Sequence, residues 1–370
     1  MIYLDYAANY PTKKEVLNKL VEEETNFYGN MNSLHKLGQL AKEEYTRIDN
    51  EFRKLLNLDQ EHEIVYTSSA SESNNLAIKG IFNSYFAFGN KILSSEFEHS
   101  STNAALAYLK DQNASIDLIR TKEDGQIDLE DLENKLDSKV ILVCLCFVES
   151  ELGTIQNINK VASIVKKYPH AHLLIDATQG ITKFNIDLNL FDLISFTPHK
   201  YGGLIGTGIL AKRKDVVLTP LIHGGRSNTI YRAGTVPLSL IASSYYATKL
   251  AMENKDKNYL YVKELNNFLL GELKNIKTIH INSFNENPYV VNFSVKGIKG
   301  YELVNKFSER GICISQKSAC SIINTPSKVM MAIYHNKQLA LESVRVSMSN
   351  LTTKDELVTF VKVLKEIINA

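Results

Sequence analysis

Residues 140–148, Val-Ile-Leu-Val-Cys-Leu-Cys-Phe-Val, are apolar without interruption, so no residue marks a solvent-facing side. The run is too short to cross a bilayer, and a strand apolar on both sides needs cover on both sides. The rest of the chain supplies that cover. Short apolar runs at 63–67, 91–94, 173–176, 193–197 and 208–212 recur, with helix-like stretches at 71–86 and 100–110 between them. This pattern predicts an α/β fold whose large, mainly parallel sheet is covered by helices on both faces.

The texture changes beyond about residue 250. A charged helical stretch at 251–275 is followed by strands that alternate. Within 289–295, Val291, Phe293 and Val295 share one face, and Val290, Asn292 and Ser294 the other. Within 344–348, both valines and Met348 oppose Arg345 and Ser347. Such alternation predicts an antiparallel sheet with one covered face. A last helix from Lys354 carries the stripe Leu357, Phe360, Leu364 and Ile367, and Thr353 with Glu356 suits a capping box at its start. The expected division is a large α/β domain at 13–250 and a small α+β domain made of 1–12 and 251–370, with 2–4 as its N-terminal strand.

Composition excludes several classes. Lys+Arg 42 against Asp+Glu 41 leaves a formal charge of +1, so no basic field points to nucleic acid. Four cysteines in 370 residues are not a disulfide framework. Asp5 interrupts the start and no apolar leader follows it. The expectation is a cytoplasmic, reduced protein without membrane contact.

Two of the apolar runs end in reactive groups. One delivers Asp176-Ala177-Thr178-Gln179, the other Thr197-Pro198-His199-Lys200. A lysine that can hold an aldehyde, beside a carboxylate that keeps a pyridine nitrogen protonated, suits pyridoxal phosphate chemistry. Taken singly, Asp176 reads as a turn residue and Lys200 as a solvated lysine. Residues 67–75, Thr-Ser-Ser-Ala-Ser-Glu-Ser-Asn-Asn, offer hydroxyls at a helix start, where an anion is favoured. Gly206-Thr207-Gly208-Ile209-Leu210-Ala211 formally matches a dinucleotide-binding motif, but it leads into a strand-like run rather than a helix. Cys144, Cys146 and Cys313 sit in apolar or strand-like runs, whereas Cys320 lies in a polar loop where a thiol can meet a substrate.

With these motifs in this order, the chain resembles the NifS/IscS-like cysteine desulfurases of the class V aminotransferase family, nearly end to end. Tyr3-Leu4-Asp5-Tyr6-Ala7-Ala8-Asn9, Asn30-Met31-Asn32-Ser33-Leu34-His35, Glu98-His99 and Arg232-Ala233-Gly234-Thr235 match further motifs of that family. The resemblance implies fold type I with a seven-stranded sheet, and a homodimer with shared active sites. It places Ala70, Ser71, Thr197 and His199 at the cofactor phosphate, with Thr235 reaching the phosphate of the neighbouring subunit. It places His99 over the ring, Asp176 at the ring nitrogen, Gln179 at the ring hydroxyl and Ser150 near the cofactor. Lys200 would carry the cofactor, and Asn32 and Arg345 would hold the substrate, Arg345 through its α-carboxylate. Lys200, His99 and Cys320 would be catalytic, with Cys320 taking sulfur from L-cysteine as a persulfide and leaving L-alanine. No metal is implied.

A sulfur-acceptor protein would follow, of the iron–sulfur scaffold or tRNA-thiolation type. Glu149 and Ser150 stand where the family usually has two asparagines, and Pro198 where glycine is common. A selenocysteine lyase or an aminotransferase would share Lys200 and Asp176 without needing Cys320. A partner-dependent relay subunit would present the persulfide with little turnover of its own.

Overall fold

The computed structural model describes residues 1–225, 228–284, 287–317 and 325–369. After a short strand β1 (Ile2–Tyr3), the chain builds a sheet from β2 (His62–Thr67), β3 (Lys91–Ser94), β4 (Ser115–Leu118), β5 (Val140–Cys146), β6 (His172–Asp176), β7 (Leu193–Phe196) and β8 (Gly208–Arg213). The order across this seven-stranded sheet is β2-β8-β7-β6-β5-β3-β4. Only β8 runs antiparallel to its neighbours. The mainly parallel α/β sheet read from the apolar runs is therefore present.

Successive side chains of these runs enter two different cores, because strand side chains alternate. Val143, Leu145, Ile175 and Ile194 join one cluster with Ile48, Phe52 and Ala247. Leu142, Cys144, Leu174 and Leu193 join the opposite cluster with Leu76, Ile81, Leu106 and Leu109 of the helices Ala70–Tyr85 and Ser100–Lys110. Strand β5 stops at Cys146, short of the expected end at Val148. There Phe147 N–H donates to the Asp176 carbonyl, and Val148 bridges to Ile155 instead. The edge strand β4 left no apolar signal, since its four residues are exposed or half-buried.

The smaller sheet is formed by β9 (Ile279–Ile281), β10 (Val290–Val295) and β12 (Ser343–Ser347) in antiparallel order β12-β10-β9, while β1 pairs with β11 (Ile312–Cys313). Val291, Phe293, Val344 and Val346 pack on Phe307, Phe360 and Leu364, with the Phe307 and Phe360 rings stacked at 4.8 Å. The expectation of a single covered face needs correction. Every residue of β10 and β12 is buried, because the polar face lies against the turn that follows β5. Asn292 Nδ2 donates to the Glu151 carbonyl there at 3.1 Å, and Arg345 Nη1 to the Ser150 carbonyl at 2.8 Å.

The expected helix at 251–275 is present from Lys255 to Lys274, while residues 251–253 close a preceding helix, Leu238–Glu253. Between them Asn254 leaves helical geometry, and its side chain bonds the Leu250 carbonyl at 2.9 Å. The capping box at 353 forms as read: Thr353 N–H meets Glu356 Oε2 at 2.8 Å, and Glu356 N–H meets Thr353 Oγ1 at 3.3 Å. Among the described residues, no helix is long and apolar enough to cross a membrane.

Gly208 locks the sheet to the start of the helix Ala70–Tyr85. A Cβ there would lie 2.2 Å from the Ser69 carbonyl carbon and 2.5 Å from Thr67 Oγ1. Gly208→Ala is expected to lower unfolding stability by about 1–3 kcal/mol, as overpacking does. Urea denaturation measures this, and wild-type stability in the variant would show that the turn can yield.

Candidate active site

The C-terminal ends of β6 and β7 and the start of the helix Ala70–Tyr85 meet at one cavity of about 300 Å³. Ala70, Ser71, His99, Ser150, Asp176, Gln179, Thr197, His199, Lys200 and Arg345 all line it, although they come from segments spread over most of the chain. Asn32 and Thr235 are exposed and lie outside it. Cys320 lies outside the described residues.

The start of the helix Ala70–Tyr85 offers the cavity hydroxyls and backbone N–H groups, a setting that suits an anion. Ser69 caps the helix, its hydroxyl accepting from Glu72 N–H at 3.1 Å, and Glu72 Oε2 accepts from Ser68 N–H at 2.7 Å. Arg232 Nε donates to the other oxygen of Glu72 at 3.1 Å, so the Arg232–Thr235 segment is tied to this turn. Beside it, Thr197 Oγ1 donates to the Thr207 carbonyl at 2.7 Å and pairs with His199 Nδ1 at 2.9 Å. Burial, then the Lys200 charge, pushes His199 down to about 4, so this imidazole is neutral at physiological pH. Pro198 opens the short turn that presents Lys200, its fixed φ suiting the first helical position.

The other end holds a carboxylate from behind. Asp176 Oδ2 accepts from Asn74 Nδ2 at 2.9 Å, and Oδ1 from Thr178 N–H at 3.0 Å. Asn74 Oδ1 in turn accepts from the Ser195 hydroxyl. The Lys200 amine donates to the Ala7 and Ala8 carbonyls at 2.9 and 2.7 Å. His99 caps the helix Ser100–Lys110 through Nδ1, which accepts from Ser101 N–H at 3.2 Å. A neutral His99 ring therefore carries its proton on Nε2. Burial lowers its pKa, keeping that neutral form favoured.

Arg345, 2% exposed, donates to Asp5 Oδ1 and to the Ser150 carbonyl, both at 2.8 Å. Its Nε is buried without a hydrogen-bond partner, as is Thr178 Oγ1 beside Asp176. Orphaned polar atoms at a cavity wall are expected of a site shaped for a polar ligand. The donor set fits pyridoxal phosphate: a helix start with hydroxyls for phosphate, a buried carboxylate for a cationic ring nitrogen, and a lysine on the wall of the same cavity.

Two further carboxylates surround the site. Glu98 Oε1 accepts from Ser95 Oγ at 2.7 Å and Cys146 N–H at 3.1 Å. Burial, with the Asp176 and Glu149 charges adding, pushes Glu98 up to about 8. Glu149 accepts from Glu151 and Leu152 N–H at 2.6 Å each, shaping the turn that offers Ser150 to Arg345. It too is pushed up to about 8, by burial and then by Glu151. Cys144 and Cys146 are buried, and burial raises both thiols well above their ordinary range.

The chain belongs to the class V aminotransferase family, whose model matches residues 2–360. A cysteine desulfurase IscS of Buchnera aphidicola subsp. Schizaphis graminum is 37% identical over 98% of this chain and 91% of its own length. That of Buchnera aphidicola subsp. Baizongia pistaciae is 35% identical over 100% and 93%. The structure superposes on a NifS-like protein with TM-score 0.92 at 28% identity, covering 100% of this chain and 99% of that one. It superposes on SspA in complex with cysteine with TM-score 0.80 at 27% identity, covering 94% and 99%.

Sequence reasoning passed over Asn74, Ser195, Asp5, Glu98 and the Ala7 and Ala8 carbonyls. Asn74 stood inside the segment read as a phosphate loop, but its pairing with Asp176, 102 residues away, leaves no local signal. Glu98 yields a test by pH. Its proton stays bound in the folded state up to about pH 8, whereas an unfolded glutamate ionises near 4.3. Its contribution to stability is thus complete below about pH 4.3 and is lost as pH rises toward 8. Glu98→Gln keeps the acceptor and removes the ionisation. Relative to wild type it should be near neutral in stability at pH 4.5 and gain about 1 kcal/mol or more at pH 8.5. Denaturant titration at both pH values measures this, and an unchanged difference between them would contradict a buried, protonated Glu98.

Proposed function

We propose that the protein is a pyridoxal phosphate-dependent cysteine desulfurase that takes sulfur from L-cysteine, releases L-alanine and passes the sulfur from Cys320 to an acceptor protein. The observation that carries the reading is the convergence of Asp176, Lys200 and the Ser69–Ser71 helix start on one cavity. The resident cofactor, when bound, supplies an aldehyde for the substrate amine and an electron-withdrawing ring that acidifies the Cα–H bond.

The chain's own residues do the rest. Asp176, braced by Asn74 and Thr178, holds a proton on the ring nitrogen. Lys200 would hold the cofactor, and its amine is the base placed to move the Cα proton. His99 lines the cavity with a neutral ring that carries its proton on Nε2, from which that proton can be shared with the reacting groups. Arg345 places a cation at the wall for the substrate carboxylate. The Cys320 thiolate attacks the substrate sulfur, so that an S–S bond forms while the Cβ–S bond breaks and its electron pair stays with the carbon skeleton. Protonation of that carbon yields alanine.

Thr235 is exposed outside its own cavity, as are Tyr28, Leu34 and Ile205 at 70%, 93% and 71% exposure. These surfaces support a homodimer in which Thr235 serves the partner subunit's phosphate. Acceptors of the iron–sulfur scaffold or tRNA-thiolation type remain the natural recipients, in a cytoplasmic setting.

The test follows both halves of the chemistry. Protein incubated with L-cysteine should release alanine, and mass spectrometry should place an added sulfur on Cys320 and not on Cys144, Cys146 or Cys313. Borohydride treatment should fix the cofactor to Lys200 in wild type and in Cys320→Ser, but not in Lys200→Ala. Cys320→Ser should make alanine at less than about 1% of the normal rate even at saturating cysteine, since a hydroxyl is a far poorer sulfur nucleophile. Normal alanine production by Cys320→Ser would favour a lyase or aminotransferase that does not use this thiol.

A further inference from the structure

Lys183 stands four residues after Gln179 in the turn that follows β6. Its Nζ donates to Gln179 Oε1 at 3.2 Å, which directs Gln179 Nε2 onto the Ala7 carbonyl at 2.8 Å. The same carbonyl accepts from the Lys200 amine at 2.9 Å. The turn has little room to relax, because a Cβ on Gly180 would fall 2.4 Å from the Phe147 ring. Lys183 and Lys200 also share the wall of a second cavity, of about 40 Å³. The titratable residues that share this wall with Lys183 are Lys13, Lys200, Tyr6, Tyr10, Tyr201 and Tyr289, with Arg345 as a further nearby charge. Among the described residues, no carboxylate lines it. Lys183 Nζ instead sits 5.2 Å from the centre of the Tyr289 ring, whose face is a weak partner for a cation.

We propose that Lys183 is a positioning residue for Lys200: through Gln179 it orders the carbonyl that holds the Lys200 amine, and its ammonium makes proton release from that amine easier. The electrostatic part follows from reciprocity. Burial, then the charges of Lys200 and Arg345, pushes Lys183 down to about 7. A charge on Lys200 that disfavours a proton on Lys183 means that a charge on Lys183 disfavours a proton on Lys200 equally. The effect acts while Lys183 is protonated and fades as pH rises through about 7. A lysine that must shed a proton to act as a base gains from such a neighbour.

The inference rests on the reading of Lys200 as the cofactor lysine, and its test separates the two. Full-length protein freed of pyridoxal phosphate is labelled with acetic anhydride between pH 6 and 9, and modification of Lys200 is followed by peptide mass spectrometry. At pH 6.5, Lys183→Met should label Lys200 at least about threefold more slowly than wild type, the equivalent of about half a pKa unit. The two profiles should converge near pH 9, where wild-type Lys183 has lost its proton. Lys183→Arg should stay as fast as wild type at pH 6.5. Equal Lys200 labelling in wild type and a folded Lys183→Met at pH 6.5 would overturn the proposal. Should methionine prevent folding, Lys183→Gln against Lys183→Arg decides by the same threefold criterion. Borohydride fixation of pyridoxal phosphate on Lys200 in the same proteins keeps the readings apart. Fixation with unchanged labelling defeats only the Lys183 role, and no fixation in wild type defeats the cofactor reading.

Discussion

The pairing of Asp176 with Asn74 is the contact on which the site depends. A carboxylate at the end of a buried strand costs free energy unless its oxygens find donors. Here one donor is the Thr178 N–H of the same turn, and the other is the Asn74 amide from the helix Ala70–Tyr85. The amide is fixed from its other side by Ser195 at β7 and also donates to Ser101 at 3.1 Å. One asparagine therefore joins the helix whose first turn lines the cavity, the strand that ends in the carboxylate, and the strand that leads to Lys200. The distance between the two ends of the cavity is set by that join and by Gly208 against Ser69.

Charge around the cavity is arranged so that few groups compete with Asp176 and Lys200. Burial holds Glu98 and Glu149 toward their protonated forms and His199 toward its neutral form. Arg345 is matched by Asp5, which Ser315 also holds at 2.7 Å. The polar face of the small sheet carries Arg345 and Asn292 directly onto the turn at 149–152. Burying that face is what makes the small sheet a wall of the site rather than an outer surface.

Much of this was legible in the sequence, for physical reasons that differ by element. Continuous apolar runs such as 140–146 have only one good environment, between two layers of helices, and the helices Ala70–Tyr85 and Ser100–Lys110 occupy the expected spans within a residue. Asp176 and Lys200 could be singled out because each follows the end of an apolar strand, and Arg345 because it lies on the polar face of an alternating one, whereas His99 carried no signal beyond the family resemblance. Alternation in 290–295 was read as one open face, yet polar side chains can be buried when they bond to another segment, and a strand's own pattern does not show that partner. The break at Asn254 was hidden because asparagine is tolerated in helices, and the side-chain bond that ends the helix there is a local competition invisible to periodicity. Asn74 and Gln179 both lie within motifs, but what they hold is decided by contacts across more than 100 residues.

In the proposed function Asp176 keeps a ring nitrogen cationic, and Asn74 and Thr178 hold it in place for that charge. Turnover of L-cysteine by Asp176→Ala, measured at pyridoxal phosphate concentrations that saturate the variant, tests it directly. A fall in kcat of about 100-fold or more, beyond any loss of cofactor affinity, is the expected result. Wild-type kcat in the saturated variant would reduce Asp176 to a turn residue and contradict the account.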